Sequence, residues 1–292
     1  MSVAVPSKRR SLLRQRKDLG FQVVAILATG IAIVMLAALL VDVGRRGIGG
    51  LDWSLFTNFP SRFPDQAGLK SALVGSLYVI SLTAVLALPI GVAAAVYLEE
   101  LAPNSWFKSV IQTNISNLAG VPSIVYGLLG LEVFVRVMQF DRSVISGALT
   151  LTLLVLPIII ITSQEGLRAV PTSFREASYA LGATKLQTVG SVVMPMALPT
   201  MLTGAILALS RAIGETAPLI TIGALTFIAF LPDSLRAPFT VLPIQIFNWL
   251  SRPQAGFHER AAAGIMVLLA VLLLMNAAAI ILRNKYQRRG NW

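Results

Sequence analysis

Six long apolar runs limit what this chain can become. They occupy residues 21–41, 71–97, 118–138, 145–162, 199–227 and 262–282. An α-helix needs about 20 such residues to cross ~30 Å of hydrocarbon. Lipid offers no partner to backbone N–H and C=O groups, so each run must close its hydrogen bonds internally, as a helix. The expectation is an all-α integral membrane protein with six transmembrane helices. The second and fifth runs exceed the minimum and call for tilt, a kink or extension beyond the lipid.

Charge supports this class and removes rivals. Only 13% of residues are charged, against about a quarter in soluble domains. The formal net charge of +11 raises the question of nucleic acid as a partner. The Lys and Arg residues, however, lie between apolar runs instead of forming one basic face. No cysteine is present, which excludes disulfides, thiol nucleophiles and cysteine-bound zinc. The single histidine, His258 in "GFHER", reads as an ordinary loop residue. The first run is too long for a secretory signal core, and no small-residue cleavage site precedes Asp42, so it reads as a retained anchor.

Basic residues also set the orientation. With the N-terminus in the cytoplasm, six spans return the C-terminus there. Of the 24 basic residues, 14 then lie inside and 9 outside, leaving Arg211 on neither side. The resulting plan has a cytoplasmic basic tail (1–20), a first span, an external loop (42–70), a permease-like unit (71–283) and a second basic tail (284–292). Residues 139–144 form a tight external turn. In the long external stretch 228–261, Leu242, Ile246, Trp249 and Leu250 recur at helical spacing, which predicts a short helix lying at the membrane interface.

One cytoplasmic loop, 170–199, is unlike connecting sequence: "VPTSFREASYALGATKLQTVGSVVMPMALP". Ser173 followed by Glu176 has the form of a capping box that starts a helix. Phe174, Ala177 and Leu181 then share a face, Gly182 ends or bends the helix, and Leu186, Val189 and Val193 resume an apolar stripe. From the residues alone, this is either a hairpin packed under the bundle or a docking surface for a partner.

The motif "EASYALGA" with "MALP" resembles the E-A-A loop of bacterial ATP-binding-cassette importer permeases. Glu176, Ala177, Gly182, Ala183, Leu198 and Pro199 match, and Ser178 replaces the family's alanine. "GVPSIVYGLLGL" (120–131), "LALSRAIGETAPLI" (207–220) and "LPIQIFNW" (242–249) look like the PstA-type permease subunits of phosphate importers, over roughly residues 71–283. The resemblance implies a type I, MetI-like permease fold in the bacterial cytoplasmic membrane. It also implies that Glu176, Ala177, Gly182 and Ala183 couple the chain to an ATPase. The implied partners are a second, PstC-type permease subunit, two PstB-type ATPase subunits using ATP and Mg, and an external PstS-type phosphate-binding protein. This chain has no G-x-x-x-x-G-K-[ST] loop and is expected neither to hydrolyse ATP nor to hold a cofactor.

The charges inside the fifth run bear on the cargo. Counted from Pro199 at 1.5 Å per residue, Arg211 lies ~18 Å along a continuous helix, near mid-membrane. Glu215 is one turn further on the same face, close enough to neutralise it. A purely structural role returns little, because interhelical polar contacts in membranes contribute ~0.6 kcal/mol. Intramembrane ionisable residues are functional by default. Arg211 would attract a passing anion. Glu215 would accept a hydrogen bond from the O–H of phosphate and repel sulfate, which has none. Ser210 and Thr216 would add hydroxyl contacts, and Pro218 a kink. Glu132 and Arg136 read as an interfacial ion pair, and Ser123 and Tyr126 as helix-contact residues. The alternatives are a permease for molybdate or sulfate and, with no internal repeat to support it, a secondary transporter.

Overall fold

The computed structural model describes residues 8–287. Residues 1–7 and 288–292, parts of the two expected tails, lie outside the described residues. The first helix, α1 (Lys8–Gly47), starts inside the expected N-terminal tail. It is followed by α2 (Lys70–Leu101), α3 (Trp106–Ala119) and α4 (Ser123–Val137). Next come α5 (Val144–Arg168), α6 (Thr172–Ala180) and α7 (Lys185–Gly214). The chain ends with α8 (Ala217–Thr221), α9 (Leu242–Leu250) and α10 (Ala255–Gln287). No strand occurs among the described residues.

Helix α5 is the axis of the bundle. Ser143 caps its start by accepting from the Ser146 backbone N–H. Buried residues then recur on every side, from Val144 to Leu167. It packs against α2, α4 and α7 through small residues, as helices in lipid must when no hydrophobic effect drives them together. Gly91 of α2 lies against Ile159, Gly130 of α4 against Thr150, and Gly204 of α7 against Thr162. Thr83 of α2 donates to the Ala148 carbonyl at 3.3 Å, tying α2 to the axis directly.

Five helices are long and apolar enough to span a membrane, and the bent pair α3–α4 brings the number to six when it is counted as one span. The third run therefore departs from the straight helix expected over 118–138. Helix α3 stops at Ala119, Gly120 and Val121 form a turn, and α4 leaves at 105°. Pro122 is the cause: it disfavours helical backbone at Val121 and sets the start of α4.

The external segments are ordered by specific bonds. Residues 48–66 hold three short helical turns instead of the irregular loop expected there. Helix α9 is present as anticipated, but not on a lipid surface. Leu242, Ile246 and Trp249 are buried against α2 and α10, and Phe247 and Leu250 are exposed. Gly47, at the end of α1, approaches Ala262 and Met266 near the start of α10. The end of α1 thus lies against the start of α10, while residues 18–42 of α1 are exposed.

Candidate functional site

Helix α7 ends at Gly214. In a continuous helix the ring of Pro218 would collide with the carbonyl of residue 214, four positions earlier. The chain instead turns extended at Glu215 (φ −73°, ψ 126°) and restarts as α8, where Pro218 occupies a first-turn position that needs no donor. The interruption expected from Pro218 is therefore a full break at Glu215, and it corrects the placing of Arg211 near the middle of a span over 199–227. The spanning helix starts at Lys185, and Arg211 stands in its last turn.

The chain stays within the bundle after the break. Leu219, Ile222, Ile228, Phe239 and Val241 are all buried. Non-helical backbone at membrane depth persists only where it is enclosed by protein or lines water. Arg211 Nε donates to Glu215 Oε1 at 3.2 Å. The arginine side chain is 46% exposed and the glutamate 15%, so the pair is open on the arginine side.

The second break lies opposite. Gly127 of α4 seats against Pro218 and Thr221 of α8, so closely that a Cβ there would lie 2.6 Å from the Pro218 Cα. Tyr126, next to it, is buried. Its hydroxyl donates to the Leu118 carbonyl at 2.8 Å, beside the bond which that carbonyl accepts from the Val121 N–H at the bend. The two stretches "GVPSIVYG" and "RAIGETAP" thus meet in space, each at a place where a helix is interrupted.

The remaining residues of the expected pathway fall on different sides. Ser210 donates to the Ile206 carbonyl and also bonds Asn276, which binds α7 to α10. Thr216 precedes α8 and caps nothing with its side chain. Arg136 and Glu132 form an exposed ion pair at 2.9 Å.

The cytoplasmic loop folds as two helices around Gly182, whose φ of +84° is left-handed and suits a glycine. Glu176, Ala177 and Gly182 are exposed and Ala183 is half-buried. Phe174 and Leu186 are exposed, and Leu181 is 90% exposed. Val189 and Val193 are buried, so the anticipated stripe divides between an outward and an inward part. The capping box expected at Ser173–Glu176 does not form, because Pro171 precedes the helix and Ser173 lies within its first turn. A capping box forms instead at Thr184 and Gln187, starting α7. Two carboxylates not singled out in the sequence end α2: Glu99 pairs with Arg168 at the end of α5, and Glu100 anchors the loop through Arg175.

The family model described as "Binding-protein-dependent transport system inner membrane component" matches residues 87–289. The chain belongs to this family. A probable ABC transporter permease, YqgI of Bacillus subtilis (strain 168), is 33% identical over 86% of this chain and 90% of its own length. The phosphate transport system permease protein PstA of Yersinia pestis is 32% identical over 94% and 92%, and that of Mycobacterium leprae 37% over 85% and 83%. Among solved structures, the inward-facing MetNI methionine ABC transporter superposes with a TM-score of 0.58 at 20% identity, covering 73% of this chain and 94% of its own. A bacterial alginate importer superposes at 0.63 with 14% identity, over 96% and 100%. These neighbours establish the fold.

As a binding-protein-dependent inner-membrane component, the chain is a multi-pass permease, which sets aside the secondary-transporter alternative. The matched region holds both helix breaks, the Arg211–Glu215 pair and the glycine-bent loop. Helix α1 and the segment 48–66 fall outside it.

Proposed function

We propose that the chain is a transmembrane subunit of an ATP-driven importer of inorganic phosphate, with both termini cytoplasmic. The observation that carries the proposal is the Arg211–Glu215 pair at the end of an interrupted helix, with the guanidinium open to one side. A fixed cation there attracts an anion, and the adjoining carboxylate accepts from a protonated oxyanion while opposing sulfate or molybdate. The relatives named as phosphate permeases support the same cargo. Thr216 supplies a hydroxyl contact. Ser210 bonds Asn276 and holds the last helix beside the pair.

Glu176, Ala177, Gly182 and Ala183 present the exposed loop to two ATPase subunits, which use ATP and Mg. A second, PstC-type permease subunit completes the route, and an external phosphate-binding protein delivers the anion. The test is phosphate uptake by the complete complex in proteoliposomes. Arg211→Gln should lower uptake on the order of tenfold, equivalent to ~1.4 kcal/mol for one charge-assisted hydrogen bond. Glu215→Gln should let sulfate compete. Unchanged uptake by a fully assembled Arg211→Gln complex would overturn the assignment.

A further inference from the structure

The Glu100–Arg175 pair does more than anchor a loop. Glu100 Oε1 accepts from Arg175 Nη2 at 2.6 Å, and the two side chains are only 9% and 17% exposed. The same guanidinium donates to the Val170 carbonyl at 2.7 Å and the Leu167 carbonyl at 2.9 Å. Leu167 lies in the last turn of α5 and Val170 two residues beyond its end, where a cation is favoured by the helix dipole. One planar fork thus joins the loop helix α6, the end of α5 and the end of α2. Beside it, Arg168 grips Glu99 through two bonds of 2.8 Å.

Helix α6 is otherwise held lightly. Ser178 is its one buried residue. Among the described residues, Arg175 and Ser178 are the only α6 side chains that hydrogen-bond to another element, Ser178 reaching Thr188 at the start of α7. The chain itself links α6 to α5 and, across the Gly182 bend, to α7. It provides no link to α2. Helix α2 in turn packs through Val79 and Ile80 beside Ala212 and Ile213, the neighbours of Arg211.

We infer that Glu100 and Arg175 form a strut that carries displacement of α6 into α2, and so to the flank of the Arg211 break, with Glu99–Arg168 as its brace. The inference rests on the reading that α6 receives the ATPase. In this scheme Arg175 is a positioning residue that acts through α2. A lysine could not replace it, since a point charge cannot hold a carboxylate and two carbonyls in one plane. Cutting the strut would leave ATP hydrolysis responsive to the binding protein while anion movement fails to follow.

The experiment uses the complete complex in proteoliposomes and reads phosphate transported per ATP hydrolysed. Glu100→Gln and Arg175→Lys should each lower that ratio several-fold, with hydrolysis still stimulated by the loaded binding protein. The chain has no cysteine, so a Glu100→Cys/Arg175→Cys double variant can be bridged by a bifunctional thiol reagent. Bridging should restore the ratio within one preparation. A parallel fall of transport and hydrolysis at constant ratio in the single variants, or a bridge that restores nothing, overturns the strut. Failure of the underlying importer reading would look different, because the wild-type complex would then show no stimulation of hydrolysis by the binding protein and phosphate.

Discussion

Arg260 gathers the external segment of the chain around one side chain. It is 8% exposed, and its guanidinium donates to Asp52 through two bonds and to the carbonyls of Gly50, Pro64 and Asp65. Five N–H donors in a fixed fork make this possible. Asp52 also caps the turn Trp53–Thr57 by accepting from the Leu55 N–H. The bond from Arg260, followed by that from Ser54, holds its carboxyl well below the ordinary carboxylate range. A depressed folded value means that this stabilisation is fully present above the unfolded pKa, near 3.9, and is lost as pH falls through the lower folded value. Protease protection of residues 48–66 should therefore stay constant from about pH 7.5 to 5. Asp52→Asn leaves a buried cation without its counter-charge. It should cost about 1–3 kcal/mol and make the segment cleavable under the same conditions. Unchanged proteolysis of that variant would show that the carbonyls alone hold the clasp.

At the scale of elements, sequence reasoning read length well and interruption poorly. Helices α2, α5 and α10 follow from their apolar runs because a span is set by the thickness of the hydrocarbon. The break at Gly120–Val121 stayed hidden, and the one foreseen only as a kink at Pro218 was underestimated, because apolar character continues through both of them. Pro122 and Pro218 were visible, but each acts on backbone upstream of itself, at Val121 and at the carbonyl of Gly214. The amphipathic pattern of α9 identified a helix without saying which apolar surface, lipid or protein, would cover it. The Glu99 and Glu100 partners lie 69 and 75 residues away, beyond any local pattern, although two adjacent carboxylates at a span's end are a signal that cations must be found. The meeting of the breaks can be tested at Gly127. A methyl group there would collide with Thr221 and with the Pro218 backbone, and overpacking of this kind costs about 1–3 kcal/mol. Gly127→Ala should lower the thermal midpoint of the solubilised complex and its uptake together. Gly190→Ala, whose Cβ meets nothing within 4 Å, should leave both unchanged.

For the whole molecule, orientation is a prediction from charge. The end of α1 meets the start of α10 at Gly47 and Ala262. The excess of basic residues in the tails and in the loop around α6 predicts that both face the cytoplasm. Ile48 and Leu181, both exposed, then belong to opposite faces of the membrane. Because the chain has no cysteine, Ile48→Cys and Leu181→Cys each give a single reactive thiol. In sealed right-side-out vesicles a membrane-impermeant maleimide should label Ile48→Cys and spare Leu181→Cys, and the pattern should reverse in inverted vesicles. Added ATPase subunit should then protect Leu181→Cys, since Leu181 is 90% exposed beside the Gly182 bend of the proposed docking loop. Reversed labelling would invert the topology and move Glu176 and Gly182 to the side where no ATP is available. The fold would be unaffected, but the ATPase could no longer reach the Arg175–Glu100 strut.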